Sequence, residues 1–375
     1  MALQITENEI ANSKSGGESL VRQSNFELLR IVAMFLVLII HANFYSINPP
    51  TNEEILGHPL SSMMRYVVES LALVCVNVYI IISGYFGIKL KPKSILNFIF
   101  MILFWKIIIN IGFIIAGCSG LIDNHLGIGN FLQFCIPGYD DWFVMSYLIL
   151  LFLAPILNAF VEKSSTKALW IFVAAYIVGA QIIFSWLLSA WIAYKAGFST
   201  LSFIGLYMLG AAFRRSACGV IKHPLFIYFS VSIIVGVAMF FVRYIWADGF
   251  IYRICSLRFG AYNGLFVLIA SAMLFLSFKR LKLQSRTINY IAASSFAVYL
   301  FHMHPLMRRV YAAICNYLFV NYGTFAYIGL ISAFIIAVFF FSVVMDLVRR
   351  WLWNKIAGTR RFSNLCGSLA AWVKG

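Results

Sequence analysis

The chain has 375 residues, of which 62% are hydrophobic and 11% are charged, a balance that excludes an ordinary soluble domain. Apolar runs long enough to cross about 30 Å of hydrocarbon recur along it, so the composition predicts a polytopic membrane protein. The formal net charge of +16 could suggest a nucleic-acid partner, but the basic residues follow the membrane topology, so none is predicted.

Ten membrane spans are predicted in chain order, which makes the fold class all-α and the molecule one helical bundle. With the N-terminus inside, most Lys and Arg residues fall on inner segments, so the positive-inside rule places both termini in the cytoplasm. Residues 1–24 then form a cytoplasmic tail, residues 25–346 the membrane domain, and residues 347–375 a basic, aromatic tail along the inner surface. The predicted spans are 26–46, 63–86, 94–117, 142–161, 168–189, 199–213, 224–245, 259–278, 290–306 and 324–346.

The first span carries two ionisable residues, Arg30 and His41, eleven positions apart. Eleven helical steps of about 100° come within roughly 20° of three full turns, so both side chains share one stripe, about 16 Å apart along the axis. Ionisable side chains inside a membrane helix are costly, and they mark a functional site by default. Arg30 alone could be a topological anchor at the cytoplasmic end, but its register with His41 favours a shared path through the membrane.

The second span places Glu69 about six residues from its outer end, at the predicted depth of His41 on the antiparallel first span. A carboxylate beside an imidazole fixes its tautomer and raises its basicity, as a general base requires. We therefore expect Glu69 to orient His41. The alternative is that Glu69 only reaches toward Arg65, its neighbour one turn earlier.

Further ionisable residues fall in the outer halves of later spans. A single histidine in a helix is more often packed or hydrogen-bonded than catalytic, but several such groups at one level predict a hydrated cavity open to the outside. A cavity of this kind suits a polar acceptor such as a sugar. The residues are Lys106, Arg243, His302 and His304.

Other polar positions also have a packing interpretation. Asn77 lies in the second span, where Ser83-Gly84 permits close helix approach, and Asp141-Trp142 is typical of an N-cap followed by an interfacial aromatic.

The seven cysteines follow no metal-ligand spacing, so no metal site is predicted. Cys118 and Cys135 share an outer loop and could pair in an oxidising compartment, although unpaired thiols are favoured.

Four apolar motifs follow one another along the chain. They are Arg30 followed by ten residues and His41, then Ile80-Ile-Ile-Ser-Gly-Tyr-Phe86, Trp142-Phe-Val-Met-Ser-Tyr-Leu148, and Ser295-Phe-Ala-Val-Tyr-Leu-Phe-His302. In this order and topology they resemble the integral-membrane acyltransferases of the acyltransferase-3 type, which O-acylate bacterial surface polysaccharides. The resemblance spans about residues 25–346. Many members have an aspartate where this chain has Asn77.

The resemblance implies an O-acyltransferase of the bacterial cytoplasmic membrane, with acetyl-CoA as cytoplasmic donor substrate and no bound cofactor. The expected acceptor is a polysaccharide or a lipid-linked glycan. Arg30 would grip a donor phosphate or polarise the thioester, and His41 would act as base or carry the acyl group. Many members have an extra soluble domain that completes the transfer; this chain shows none, so it is expected to act unaided or with a separate protein. Substrate contacts are expected from Asn77, Ser83, Trp142, His302, Lys106 and Arg243.

Basic residues on the inner loops have two open interpretations. Lys89, Arg214 and Arg215 could hold the nucleotide part of the donor, or they could serve the topology alone.

Two other functions are compatible with a polytopic chain. A transporter or flippase of lipid-linked sugars usually has internal symmetry and polar residues throughout its pore, whereas no repeat is evident here and the polar residues concentrate on the outer side. A glycan polymerase usually presents a large basic outer loop, whereas the longest outer loop here contains no Lys or Arg.

Overall fold

The computed structural model describes residues 23–118, 128–136, 141–184, 195–216, 221–247 and 249–374. Every regular element within these ranges is helical, which confirms the all-α fold class. The predicted N-terminal tail lies outside the described residues except for positions 23 and 24. The helices are α1 (Ser24–Ile40), α2 (Asn52–Gly57), α3 (Pro59–Ala72), α4 (Cys75–Phe86), α5 (Pro92–Cys118), α6 (Ile128–Cys135), α7 (Trp142–Lys163), α8 (Thr166–Ala174), α9 (Thr200–Arg215), α10 (Pro224–Trp246), α11 (Phe250–Phe259), α12 (Leu265–Lys279), α13 (Arg286–Ala292), α14 (Ser295–His302), α15 (Pro305–Asn321), α16 (Thr324–Ala357) and α17 (Arg360–Lys374).

Six helical segments of the described chain are long and apolar enough to cross a membrane. They are Ser24–Tyr45, Pro59–Phe86, Pro92–Cys118, Trp142–Lys163, Pro224–Trp246 and Thr324–Ala357, and two shorter apolar helices cover Thr166–Gly179 and Leu265–Lys279. The chain is therefore a multi-pass membrane protein. The number of ten spans and the cytoplasmic location of both termini stay predictions.

Helix α1 lies at the centre of the bundle. Helices α3, α4, α12, α13, α14 and α16 all pack against it. Its apolar positions Leu29, Ala33 and Leu38 are fully buried, because neighbours cover the helix on several sides. A helix in this position can present polar side chains to partners on more than one neighbouring helix.

Four of the helices beside α1 are the halves of two broken spans. The second predicted span is divided between α3 and α4 at Leu73–Val74, and the ninth is divided between α13 and α14 at Ala293–Ser294. The segment between the ninth and tenth predicted spans is also helical. It forms α15, which begins with Pro305 in the first turn, where the missing amide hydrogen has no cost.

Helices α4 and α9 cross at two glycines. A Cβ atom on Gly84 would overlap the carbonyl of Tyr207, and one on Gly210 would overlap the carbonyl of Ile81. Each helix therefore has a glycine where the backbone of the other passes. This is the close approach that small residues permit between membrane helices.

Helix α16 continues past residue 346, where the membrane domain was predicted to end, and carries a buried ion pair. Arg349 donates to both carboxylate oxygens of Asp346 at 2.5 and 2.9 Å and to Asn97 of α5 at 3.2 Å. Trp105 of α5 donates to the same carboxylate at 3.3 Å. Arg349 was assigned to the inner segments from the sequence, but its side chain is 1% exposed and joins two helices.

Candidate active site

His41 lies where α1 gives way to a wide π-helical turn, His41–Tyr45. Its imidazole is half-buried and its Nδ1 lies 2.8 Å from Nε2 of His302. His302 is the last residue of α14 and is 1% exposed. The structure thus joins the histidine of the first motif to the histidine of the fourth across 261 positions of sequence.

The hydrogen bonds of this pair determine which ring nitrogens carry protons. Nδ1 of His302 lies 2.6 Å from the carbonyl oxygen of Val298, which can only accept, so this nitrogen donates. Nε2 of a neutral His302 is then an acceptor, and Nδ1 of His41 is the donor. Nε2 of His41 is left with its lone pair, the atom that a general base or a nucleophile uses.

Glu69 does not contact the imidazole of His41, so the expected direct contact was wrong. One of its carboxylate oxygens accepts from Nδ2 of Asn43 at 2.9 Å and from the amide of Phe44 at 3.5 Å. The physical reason is the wide turn after His41, which brings its amide groups toward α3 while the imidazole turns to α14. The position that we expected for a carboxylate is occupied by His302.

Arg30 is buried, with 5% of its surface exposed. Its Nη1 forms an ion pair with Glu27 at 2.5 Å, and its guanidinium lies over the ring of Phe86 at 5.8 Å. Nε and Nη2 have no hydrogen-bond partner within the described part of the chain. A topological anchor would keep its charge in water, whereas Arg30 presents an unfilled two-donor fork inside the protein, the geometry that binds carboxylate or phosphate.

Tyrosines and a serine surround this inner position. Tyr79 donates to the backbone carbonyl of Arg30 at 2.7 Å. Ser83 donates to the carbonyl of Tyr79 at 2.9 Å and lies 3.4 Å from the hydroxyl of Tyr147. Ser83 therefore belongs to the Arg30 end of α1, about three helical turns from His41.

A family model described as an acyltransferase domain, that of the acyltransferase-3 family, matches residues 23–347. The chain belongs to the acyltransferase-3 family. Comparison with curated proteins and with solved structures found no match. The protein is thus a membrane acyltransferase, and the alternative of a sugar transporter or flippase finds no support.

In this acyltransferase, Asn77 and Trp142 make contacts that hold the fold. Asn77 donates to the carbonyl of Tyr262 at 2.8 Å and to Ser271 at 3.2 Å. The Trp142 ring packs against Phe198 and Tyr262 with centroids 4.6 and 6.2 Å apart. Their predicted contact with substrate stays a prediction.

Asp141 connects the start of α7 with the histidine pair. Its carboxylate accepts from the amide of Val144 at 3.2 Å, which confirms the predicted N-cap. It also accepts from the hydroxyl of Tyr299 at 2.9 Å. The Tyr299 ring meets His302 edge-on with centroids 6.0 Å apart. Tyr299 therefore links the N-cap residue Asp141 to His302 of the candidate active site.

The other outer cations of the acyltransferase lie in different surroundings. Lys106 donates to the carbonyl of Phe134 at 3.0 Å and interacts electrostatically with His304. Arg243 lies over the ring of Tyr252 at 4.8 Å, in a separate apolar cluster. His41 contacts neither of them in the described part of the chain. Of the four outer groups expected around one cavity, His302 is the one in contact with His41.

The three inner basic residues differ in the contacts that they make. Arg214 donates to the carbonyl of Phe86 at 3.5 Å, next to the ring that Arg30 faces. Arg215 donates to the carbonyls of Ser164 and Glu162 and so caps the end of α7. Lys89 is exposed. Arg214 is therefore the best placed of the three to assist Arg30.

Two residues that contact the candidate site were missed in the sequence. Glu27 could have been found, because it lies three positions before Arg30 on one helix, where opposite charges meet. Asn43 could not, because its contacts depend on the wide turn after His41, and nothing in the sequence predicts this departure from α-helical geometry. Cys118 and Cys135, which could have paired, are both free thiols.

Proposed function

We propose that this acyltransferase moves an acyl group, acetyl in the first instance, from a cytoplasmic acyl-CoA to a glycan hydroxyl at the bacterial cytoplasmic membrane. The acceptor is a cell-surface polysaccharide or its lipid-linked precursor. The observation that carries the proposal lies along α1 and the turn that follows it. The half-buried imidazole of His41 has its Nδ1 bonded to His302, which leaves the Nε2 lone pair. Three turns below it is a guanidinium fork that has no hydrogen-bond partner within the described part of the chain.

The chemistry begins with the acceptor hydroxyl at Nε2 of His41. Nε2 takes the hydroxyl proton while the oxygen attacks the thioester carbon, the carbon–sulfur bond breaks, and the thiolate of CoA leaves and is protonated. His41 becomes positively charged in this step. His302 accepts from Nδ1 of His41 and is itself anchored to Val298, so it stabilises the imidazolium and holds the ring in place.

Arg30 acts on the distant part of the donor. Its separation of about 16 Å from His41 along α1 is too great for both side chains to act on one carbonyl. The fork of Nε and Nη2 therefore binds a phosphate of CoA, and the long pantetheine arm carries the thioester toward His41. Glu27 holds Nη1 and so sets the direction of the fork.

Mass spectrometry of surface glycans tests the reaction and its acceptor together. A deletion strain should lose acetyl groups from one glycan, and the wild-type gene should restore them. The His41→Ala gene should not, while His223→Ala, which changes an exposed histidine at the start of α10, should restore them fully. Unchanged acetylation in the deletion strain, together with transport of lipid-linked sugar by the purified protein in liposomes, would refute the proposal.

A further inference from the structure

The backbone that carries His41 departs from regular helix at a defined position. His41 opens the wide turn His41–Tyr45, and Asn43 within it has φ −90° and ψ −108°. Wide turns of this kind are frequent at functional sites. A non-helical residue persists in a folded protein where its surroundings hold it, so the contacts of Asn43 decide the position of the turn.

Asn43 lies between a carboxylate and a guanidinium. Its Nδ2 donates to Glu69 and to the carbonyl of Arg65, both at 2.9 Å. Its Oδ1 accepts from Nε of Arg65 at 3.5 Å. The two ends of the amide thus match the charges that they face, with the donor toward the anion and the acceptor toward the cation. Asn43 is 7% exposed, so water competes little for these bonds.

Arg65 holds the chain that follows the turn. Its Nη2 donates to the carbonyls of Ile47 and Asn48, and its Nη1 pairs with Glu54 at 3.4 Å. The guanidinium also lies over the ring of Phe319 at 4.8 Å. Arg65 is 9% exposed and therefore fixes residues 43–48 from the side of α3.

We infer that Asn43, Glu69 and Arg65 form a clamp that sets the position of His41, with Glu69 acting as a fixed hydrogen-bond acceptor. The inference rests on the proposed function, since it concerns the same imidazole. Glu69 accepts from Asn43 and from the amide of Phe44, and neither bond requires a proton to move. All three are positioning residues, because the contacts that they make are with the turn.

The comparison of Glu69→Gln with Glu69→Ala tests the clamp. A glutamine oxygen accepts the same two bonds, so Glu69→Gln should keep most of the wild-type kcat. Glu69→Ala leaves Asn43 and Phe44 without an acceptor, and kcat should fall by about 10- to 100-fold, as when a partner that orients a functional histidine is removed. KM for acyl-CoA should stay the same in both, because the Arg30 end of α1 is untouched.

Matched controls separate the clamp from general effects. Glu53 is an exposed carboxylate on the neighbouring helix α2, and Glu53→Ala should leave kcat unchanged. Asn43→Ala should lower kcat as Glu69→Ala does, and thermal unfolding in detergent shows whether either variant has lost its fold.

Two results would overturn the inference. A Glu69→Gln enzyme as inactive as Glu69→Ala would make Glu69 a proton carrier, and a fully active, folded Glu69→Ala enzyme would mean that the clamp is not needed. Failure of the proposed function looks different, because the wild-type protein itself would then transfer no acyl group to glycan, whatever the Glu69 variants do.

Discussion

The proposed chemistry depends on a ring proton whose position a backbone carbonyl fixes. Val298 fixes the tautomer of His302, and His302 in turn fixes that of His41. Each step follows from the fact that a carbonyl oxygen can only accept. A second histidine thus takes the place that a carboxylate holds in many general-base sites, without a buried negative charge.

Loss of the histidine partner should reduce catalysis without abolishing it. In His302→Ala the imidazole of His41 loses the acceptor that holds Nδ1, so kcat should fall by about 10- to 100-fold, the range for a lost orienting partner. KM for acyl-CoA should be unchanged. Steady-state kinetics in detergent measure both, with His223→Ala as the control, and wild-type kcat in His302→Ala would contradict the tautomer assignment.

The fork of Arg30 should matter for the donor. Arg30→Lys keeps the charge but lacks two parallel donors, so KM for acyl-CoA should rise by about tenfold, the factor that corresponds to about 1.4 kcal/mol. Arg361→Lys, at an exposed position of α17, is the matched control. An Arg30→Lys enzyme with wild-type KM would restore the interpretation of Arg30 as a topological anchor.

Individual residues were predictable from the sequence to the extent that helix geometry places them. Arg30 and His41 follow from an interval of eleven positions, and their burial or pairing agrees with a functional role. His302 emerged from a motif, because no periodicity relates positions 261 residues apart. Glu69 was expected at the correct depth, but its partner depends on the wide turn at Asn43, which the sequence does not indicate.

At the scale of elements, α4 and α9 can cross closely because Gly84 and Gly210 have no side chain at the contact. Gly84→Ala and Gly210→Ala should each destabilise the protein by about 1–3 kcal/mol or more, because the added methyl group meets a backbone carbonyl of the other helix. Gly329→Ala in α16 is the control, since its added Cβ would meet open space. Equal unfolding midpoints for all three variants in detergent would contradict the crossing.

A buried ion pair within α16, which hydrogen-bonds to α5, also stabilises the packing of these two helices. Asp346→Asn leaves the buried guanidinium of Arg349 without its anion, and breaking a buried pair costs about 3–5 kcal/mol. Asp346→Leu combined with Arg349→Met removes both charges and should be more stable than Asp346→Asn alone. Denaturant unfolding measures the difference, and the reverse order of stability would show that the pair is not buried as described.

Element boundaries were less predictable than element existence. The second span breaks at Leu73–Val74, two apolar residues that carry no helix-breaking signal, so the sequence alone does not predict the break. Helix α16 runs through the predicted end of the membrane domain, and Arg349 pairs there with Asp346 one turn earlier. A basic residue that the sequence assigns to the inner side can also be buried and paired with an acidic residue within the bundle.

For the whole molecule, composition was enough to predict a polytopic α-helical membrane protein, because the bilayer requires its spanning segments to satisfy their own backbone. It was not enough to predict α15, where amphipathic sequence between two spans forms a helix beside the site. The motifs that suggested the acyltransferase-3 family lie on α1 with the turn after it, and on α4, α7 and α14, and the family match covers all four.

The most direct measurement is acyl transfer in inverted membrane vesicles, whose cytoplasmic face is accessible to labelled acetyl-CoA. Wild-type vesicles should transfer label to glycan, and His41→Ala vesicles with the same amount of folded protein should lose about 10²- to 10⁴-fold in rate, the contribution of general-base catalysis. Label transfer by His41→Ala at the wild-type rate would contradict the assignment of Nε2 of His41 as the reacting atom.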